Sequence, residues 1–314
     1  MTKRRYAALT MVRDETFFLH NWHRHYAREF GDENLFVIDH NSQTNPPQSV
    51  IPSLKNITRI PFDNPAKDKQ AQDRRNFDHV RFHAISDMMA SLLHYYDCVI
   101  YNDVDEIFVT DDTMGLRQYL DSIPEIGNRA GVGVELFQHT SDTPFDPTQP
   151  VFEQRKHFYY RWNICRPCIL TKPTLIGGNG AVGPVWLDPK LLMLHLRFVD
   201  NDELFQRQQK RLLAYSESRG GEASRWKLSL GETQEKMDAF WARTPAEMDM
   251  PHYEFLDECI PGYRDTEISD ATFKRQKKSP RQQVKLDHFF DQQVVKLFWK
   301  YRFEFPDRFN TYPS

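Results

Sequence analysis

The chain has 314 residues, 39% of them hydrophobic and 13% aromatic, with a formal charge of −3. That length buries a sizeable core, in one large α/β domain with appendages or in two modest domains, and near-neutrality excludes the strongly basic field that a nucleic-acid partner needs. Four scattered cysteines (Cys98, Cys165, Cys168 and Cys259) exclude a disulfide scaffold.

In chain order, "RYAALTMVR" predicts a first strand ending near Thr10–Arg13. "DETFFLHNWHRHYAREFG" carries Phe18, Trp22, Tyr26 and Phe30 at four-residue spacing, the stripe of an amphipathic helix. Asp14 is the expected N-cap and Gly31 the expected stop. "NLFVIDHNS" predicts a second strand closed by Asp39, His40, Asn41 and Ser42, and "KNITRIPF" a short third. A long helix is expected across "DKQAQDRRNFDHVRFHAISDMMASLLHYY", followed by a strand, "DCVIYNDVDEIFV". This order is that of a doubly wound α/β sheet, whose ligands bind outside the carboxyl ends of the strands. The rule places Thr10–Arg13, Asp39–Ser42 and Asp103–Glu106 on one rim.

Beyond Pro124 the pattern loosens. "GVGVELF" reads as a strand, and "HTSDTPFDPTQPVFEQ" as a long loop of the kind that carries specificity. "KHFYYRWNICRPCIL" alternates basic and aromatic residues. Its Cys165-x-x-Cys168 pair has no second pair to complete a zinc site and reads as buried thiols. "LIGGNGAVGP" allows close backbone approach to a ligand. "PKLLMLHLRFVD" predicts a strand with His195 among apolar neighbours. From Asn201 onward a helical extension is expected, ending in a Phe/Trp-rich amphipathic segment that docks on the core. The expected division is a catalytic domain over residues 1–200 and a helical extension over 201–314.

The chemistry concentrates at Asp103 and Asp105. Carboxylates on alternate residues at a strand end can hold a hard divalent cation, and the apolar runs on both sides argue against a solvated turn. An EF-hand fails, because Ile107 and Phe108 stand where a ligand and a turn glycine are required. A dehalogenase-type phosphatase with Asp103 as nucleophile remains the enzymatic alternative, although Glu106 and Ile107 depart from its pattern. A non-catalytic nucleotide- or glycan-binding module is the other. The favoured reading is a nucleotide-diphosphate site with Mn²⁺ or Mg²⁺ between the carboxylates and the diphosphate. Thr10, Arg13, Asp39 and His195 are the candidates for its remaining nucleotide and metal contacts.

"MVRDETFFLHNWHRHYAREFGDENLFVIDHNSQ", "YYDCVIYNDVDEIFV" and "LLMLHLRFVD", in that order, resemble glycosyltransferase family 2-like proteins of the GT-A fold over about residues 5–200. The resemblance implies a Rossmann-like mixed sheet flanked by helices and a nucleotide-sugar donor, a UDP-sugar foremost. It implies transfer to an acceptor hydroxyl of a glycan, polysaccharide or glycolipid precursor. It assigns Asp103 and Asp105 to the metal, His195 to the third metal position or the diphosphate, and Thr10, Arg13 and Asp39 to the nucleotide pocket. Glu106 would orient Asp105 or a substrate hydroxyl. Processive members carry Gln-x-x-Arg-Trp. Here Phe158 precedes Arg161–Trp162, which argues against a processive synthase. The family's later histidine is replaced by Asn179 in the glycine loop. Glu135, Asp142 and Asp146 are candidates for a general base. With no run near the roughly 20 apolar residues of a membrane span and no signal peptide, the expected location is cytoplasmic, with peripheral membrane contact through the final segment.

Overall fold

The computed structural model describes residues 3–61, 77–111, 114–161, 164–177, 180–181, 186–217, 230–246, 266–267 and 300–312. Within them, β1 (Tyr6–Val12) is followed by α1 (Phe18–Phe30), β2 (Leu35–Asp39), β3 (Asn56–Arg59), α2 (Phe77–Leu92), β4 (Cys98–Tyr101) and β5 (Glu106–Thr110). Then come α3 (Leu116–Ser122), β6 (Arg129–Phe137), β7 (His157–Tyr160), β8 (Pro167–Leu170), the two-residue strands β9 (Ile176–Gly177) and β10 (Gly180–Ala181), and β11 (Trp186–Phe198). The chain closes with α4 (Asn201–Glu217), α5 (Leu230–Trp241), β12 (Thr244–Ala246), β13 (Thr266–Glu267) and β14 (Tyr301–Glu304).

The fold is mixed α/β: one large sheet flanked by helices, with two halves of different character. In the first, β3, β2, β1 and β4 lie side by side and all run parallel, the strand order of a Rossmann-like half-sheet. Alternation along β1 sends Tyr6 and Ala8 to one face, against Trp22, Tyr26 and Phe30 of α1. Ala7 and Leu9 go to the other face, against Ile85, Met89 and Leu92 of α2. Helices on both faces explain why β1, β2 and β4 are near-continuous apolar runs. In the second half β8 runs antiparallel to β4, β6 antiparallel to β8, and β7 antiparallel to β6. β11 lies between β6 and β5, parallel to the first and antiparallel to the second.

Three expectations are corrected. The strand expected across "DCVIYNDVDEIFV" is two strands in different parts of the sheet, β4 and β5, with residues 102–105 as the turn between them. Asp and Asn are poor strand formers, and Asn102 makes the turn obligatory. Its amide Oδ1 accepts from Trp22 Nε1 (3.2 Å), while its Nδ2 donates to Tyr26 Oη (2.8 Å) and to the Glu106 carbonyl (2.6 Å). Second, Asp14 does not cap α1. Glu15 does, its Oε1 accepting from the Phe17 and Phe18 amides at 3.0 and 2.9 Å. Third, "YRFE" near the end of the chain is strand β14 rather than docking helix. It pairs with β7 through Phe303–Phe158 and Glu304–His157, because Tyr301, Phe303 and Phe305 alternate with Arg302 and Glu304 at strand period. Phe305 stacks on Phe158 at 4.1 Å, and Phe309 and Tyr312 pack around Phe152. The basic run at 272–285, most of the final amphipathic segment, Trp162, Asn179 and Cys259 lie outside the described residues.

Candidate functional site

The parallel strands β1, β2 and β4 end on one rim, which carries Arg13, Asp39–Ser42 and Asn102–Asp105, whereas Glu106 opens β5. Local hydrogen bonds build this rim. Asp39 Oδ1 accepts from the Ser42 amide (2.8 Å), a turn that closes β2. Asp14, with a positive φ of 48°, points its Oδ1 at the amides of Gln43, Thr44 and Asn45 at 2.8–3.0 Å. These bonds hold its carboxyl below the usual range despite partial burial. The loop after β1 is thereby tied to the loop after β2. Thr10 lies beneath the rim: it is fully buried within β1, and among the described residues its hydroxyl has no hydrogen-bond partner. Arg13 is exposed at the rim and faces His40, whose imidazole is pushed down to about 4 by burial and by the Arg13 and Arg81 charges.

The acidic turn sits where the two halves of the sheet meet. Asp103 is the most open of its three carboxylates, 23% exposed. Arg81 of α2 lies 3.9 Å and Arg166 3.4 Å from it. Burial would raise the Asp103 carboxyl, but these two guanidiniums hold it below its ordinary value. Glu106 is fully buried against Arg166. Burial pushes the Glu106 carboxyl up to about 7, with Arg166 opposing the rise. Asp105 Oδ2 faces two groups at 3.8 Å, His195 Nε2 and Arg207 Nη2. Arg207, on α4, also holds Glu15 Oε2 at 3.2 Å and lies over the Phe18 ring.

His195 occupies the centre of a cross-strand row. In register it stands opposite Glu106 on β5 and Glu135 on β6, so three ionisable side chains line up on one face of three neighbouring strands. His195 Nδ1 is 2.5 Å from Glu135 Oε1, and Arg161 closes on the other Glu135 oxygen. Burial pushes the imidazole down to about 4, so it is neutral at pH 7. Glu135 is fully buried, with one oxygen facing His195 and the other Arg161. Asp142 and Asp146 lie in the loop after β6. Asp142 accepts from the His139 amide, and exposed Asp146 accepts from the Thr148 amide and hydroxyl, both as turn formers.

The donor chemistry fits a divalent metal in part. Asp105 oxygen and a neutral His195 nitrogen face each other, and a carboxylate orients the imidazole from behind. Asp103 is ionised but engaged by arginines. Among the described residues no three His, Cys, Asp or Glu side chains converge into a ready-made metal cage. Among the described residues Cys98, Cys165 and Cys168 are buried free thiols. Cys165 and Cys168 are buried, with thiols pushed up by burial, to about 12 for Cys165, whose sulfur accepts from the Gly133 amide. The residue between them, Arg166, faces Asp103 and Glu106. Arg81, Arg166, Arg207 and the Glu135–Arg161 pair were not anticipated from the sequence. The one signal was an arginine placed inside an otherwise buried "ICRPCIL" strand.

No family model and no curated protein matches the chain. Among solved structures it matches mannose-1-phosphate geranyltransferase from Thermus thermophilus, at 14% identity, over 67% of this chain and 64% of that one, with a TM-score of 0.25. The match therefore spans less than two thirds of that protein, and a likeness this distant assigns it no activity. Among the described residues no helix is long and apolar enough to cross a membrane.

Proposed function

We propose that the chain is a metal-assisted glycosyltransferase of GT-A type, taking a sugar from a nucleotide-sugar donor to an acceptor hydroxyl. The observation that carries this reading is the Asp103–Asp105 turn, fixed by Asn102 at the carboxyl rim of a Rossmann-like half-sheet with His195 facing Asp105. Open α/β sheets bind nucleotides at that rim. Asp39 and Arg13, at the ends of β2 and β1, are placed for the nucleoside. Asp105 and His195, joined by Asp103, would hold Mn²⁺ or Mg²⁺, which when bound offsets the charge developing on the departing diphosphate. Arg81 and Arg166 serve two ends: they keep Asp103 ionised, and they are guanidiniums within reach of the same phosphates. Glu135 keeps His195 oriented with Nε2 toward Asp105. Glu106, buried and paired with Arg166, is a positioning group for Arg166 rather than a contact to the acceptor.

The reading is tested by incubating the full chain with a panel of UDP-, GDP-, ADP- and dTDP-sugars and Mn²⁺ and following nucleoside diphosphate release. One nucleoside class should be turned over, and a chelator should stop it. Absence of release with every donor, acceptor mixtures included, would contradict it, and a phosphoaspartate at Asp103 would instead establish the phosphatase.

A further inference from the structure

Around the acidic turn stand five carboxylates (Glu15, Asp103, Asp105, Glu106 and Glu135) and five arginines. Four of the arginines are matched: Arg81 and Arg166 with Asp103 and Glu106, Arg161 with Glu135, and Arg207 with Glu15 and Asp105. Arg197 is different. It lies two residues beyond His195 on β11, its Nε and one Nη are covered from solvent, and among the described residues neither atom has a hydrogen-bond partner. Among the described residues no carboxylate lies within ion-pair distance of it, and Asp105 acts on its charge only from farther off. A second cation comes from above. Helix α5 lies across the same strands, with Phe240 stacked 3.9 Å from Phe137 and packed with Phe198, the neighbour of Arg197. One turn before Phe240, this seats the exposed Lys236 near Arg197 and Arg161, and its ammonium is lowered by partial desolvation and by those two charges, with Glu232 one turn earlier opposing them in part. Two like charges held together, one of them a half-buried guanidinium with two covered, unbonded nitrogens, are costly unless an anion joins them.

The donor does not supply that anion. A divalent cation would be balanced by Asp103 and Asp105 themselves, and the two negative charges of a diphosphate-linked sugar would face Arg81 and Arg166, which stand at the same turn. We infer that Arg197 and Lys236 form a seat for an oxyanion carried by the acceptor, a phosphate ester or a carboxylate, so that the acceptor of the proposed transfer is acidic. The seat adjoins Asp105 and His195 but is built by β11 and α5 rather than by the nucleotide rim. The acceptor assignment rests on the glycosyltransferase reading; the seat itself does not.

The experiment is thermal unfolding of the full chain at low ionic strength, titrated with inorganic phosphate and separately with glucuronate, each with and without saturating Mn²⁺–pyrophosphate as a base-independent stand-in for the donor. One of the two anions should raise Tm, and which one does so assigns phosphate or carboxylate. Arg197→Gln should weaken that anion at least tenfold and Lys236→Gln about threefold, while Arg197→Lys should retain most of it. Lys236 is exposed, so its variant tests the seat even where Arg197→Gln unfolds. The Mn²⁺–pyrophosphate effect should persist in all three variants and should add to the anion effect. Anion binding unchanged by both glutamine variants overturns the seat. Anion binding abolished by Mn²⁺–pyrophosphate assigns Arg197 to the donor and overturns the acidic acceptor. An Arg197-dependent anion effect with no Mn²⁺–pyrophosphate effect leaves the seat standing and overturns the donor reading.

Discussion

The two halves of the sheet neutralise their polar groups in opposite ways. On the parallel half, Asp14, Asp39 and Asn102 are held mainly by backbone amides and side chains of the turns and helix that adjoin the rim, with Arg59 3.8 Å from the second Asp39 oxygen. On the antiparallel half, Glu106 and Glu135, with Asp105 at the junction of the halves, face guanidiniums from the residue after β7, the loop before β8 and α4. A carboxylate bonded to turn amides is fixed whether or not ligand is present. One held by an arginine can exchange that partner for a phosphate or a cation. The parallel half therefore reads as a rigid nucleotide platform, and the antiparallel half as the region whose ion pairs rearrange when substrate binds.

The sharpest way to break this contrast is to remove one partner from each half. Arg166→Met leaves buried Glu106 without its cation and should cost about 3–5 kcal/mol in urea unfolding. Adding Glu106→Gln should recover much of the loss, and a loss that the double variant does not relieve would mean that Arg166 acts through packing. Asn102→Ala strands Trp22 Nε1, Tyr26 Oη and a buried carbonyl, and should cost about 2–4 kcal/mol with no single-site rescue. Asp14→Ala, at a more solvated loop, should cost about 1 kcal/mol, because water replaces much of what its carboxylate gives.

The smallest effect is on pH dependence. His25, which donates from Nε2 to the Phe108 carbonyl, is pushed down to about 3 by burial, and His40 and His195 to about 4. Between about pH 6.5 and 4 the unfolded chain binds more protons at these positions than the folded one, so stability falls as pH drops. The urea midpoint should decline across that window, with a shallower slope in His25→Gln. An unchanged slope would show that His25 titrates normally.

The same contrast explains what could be read from residue order. The strands β1, β2 and β4, the α1 stripe from Phe18 to Phe30 and the Asp39–Ser42 turn are local patterns, and each stands where its residues indicate. The resemblance to glycosyltransferases rests on such segments. The arginine partners were not legible: Arg166 lies 60 residues from Glu106 and reaches it only because β8 returns beside β4. Periodicity also misread two ends. Asn102 splits an apparent strand through bonds to a helix about 80 residues earlier, and β14 hid in an aromatic segment whose alternation resembles an amphipathic helix edge.

The central claim is that the Asp103–Asp105 turn and His195 form a metal-assisted nucleotide-diphosphate site. Thermal unfolding of wild type, Asp105→Asn and His195→Gln with UDP, GDP, ADP and dTDP, each with and without Mn²⁺, tests it most directly. The account predicts that one nucleotide stabilises the wild type, more strongly with Mn²⁺ than without, and that both variants lose the metal-dependent increment. An increment that persists undiminished in both variants would contradict it.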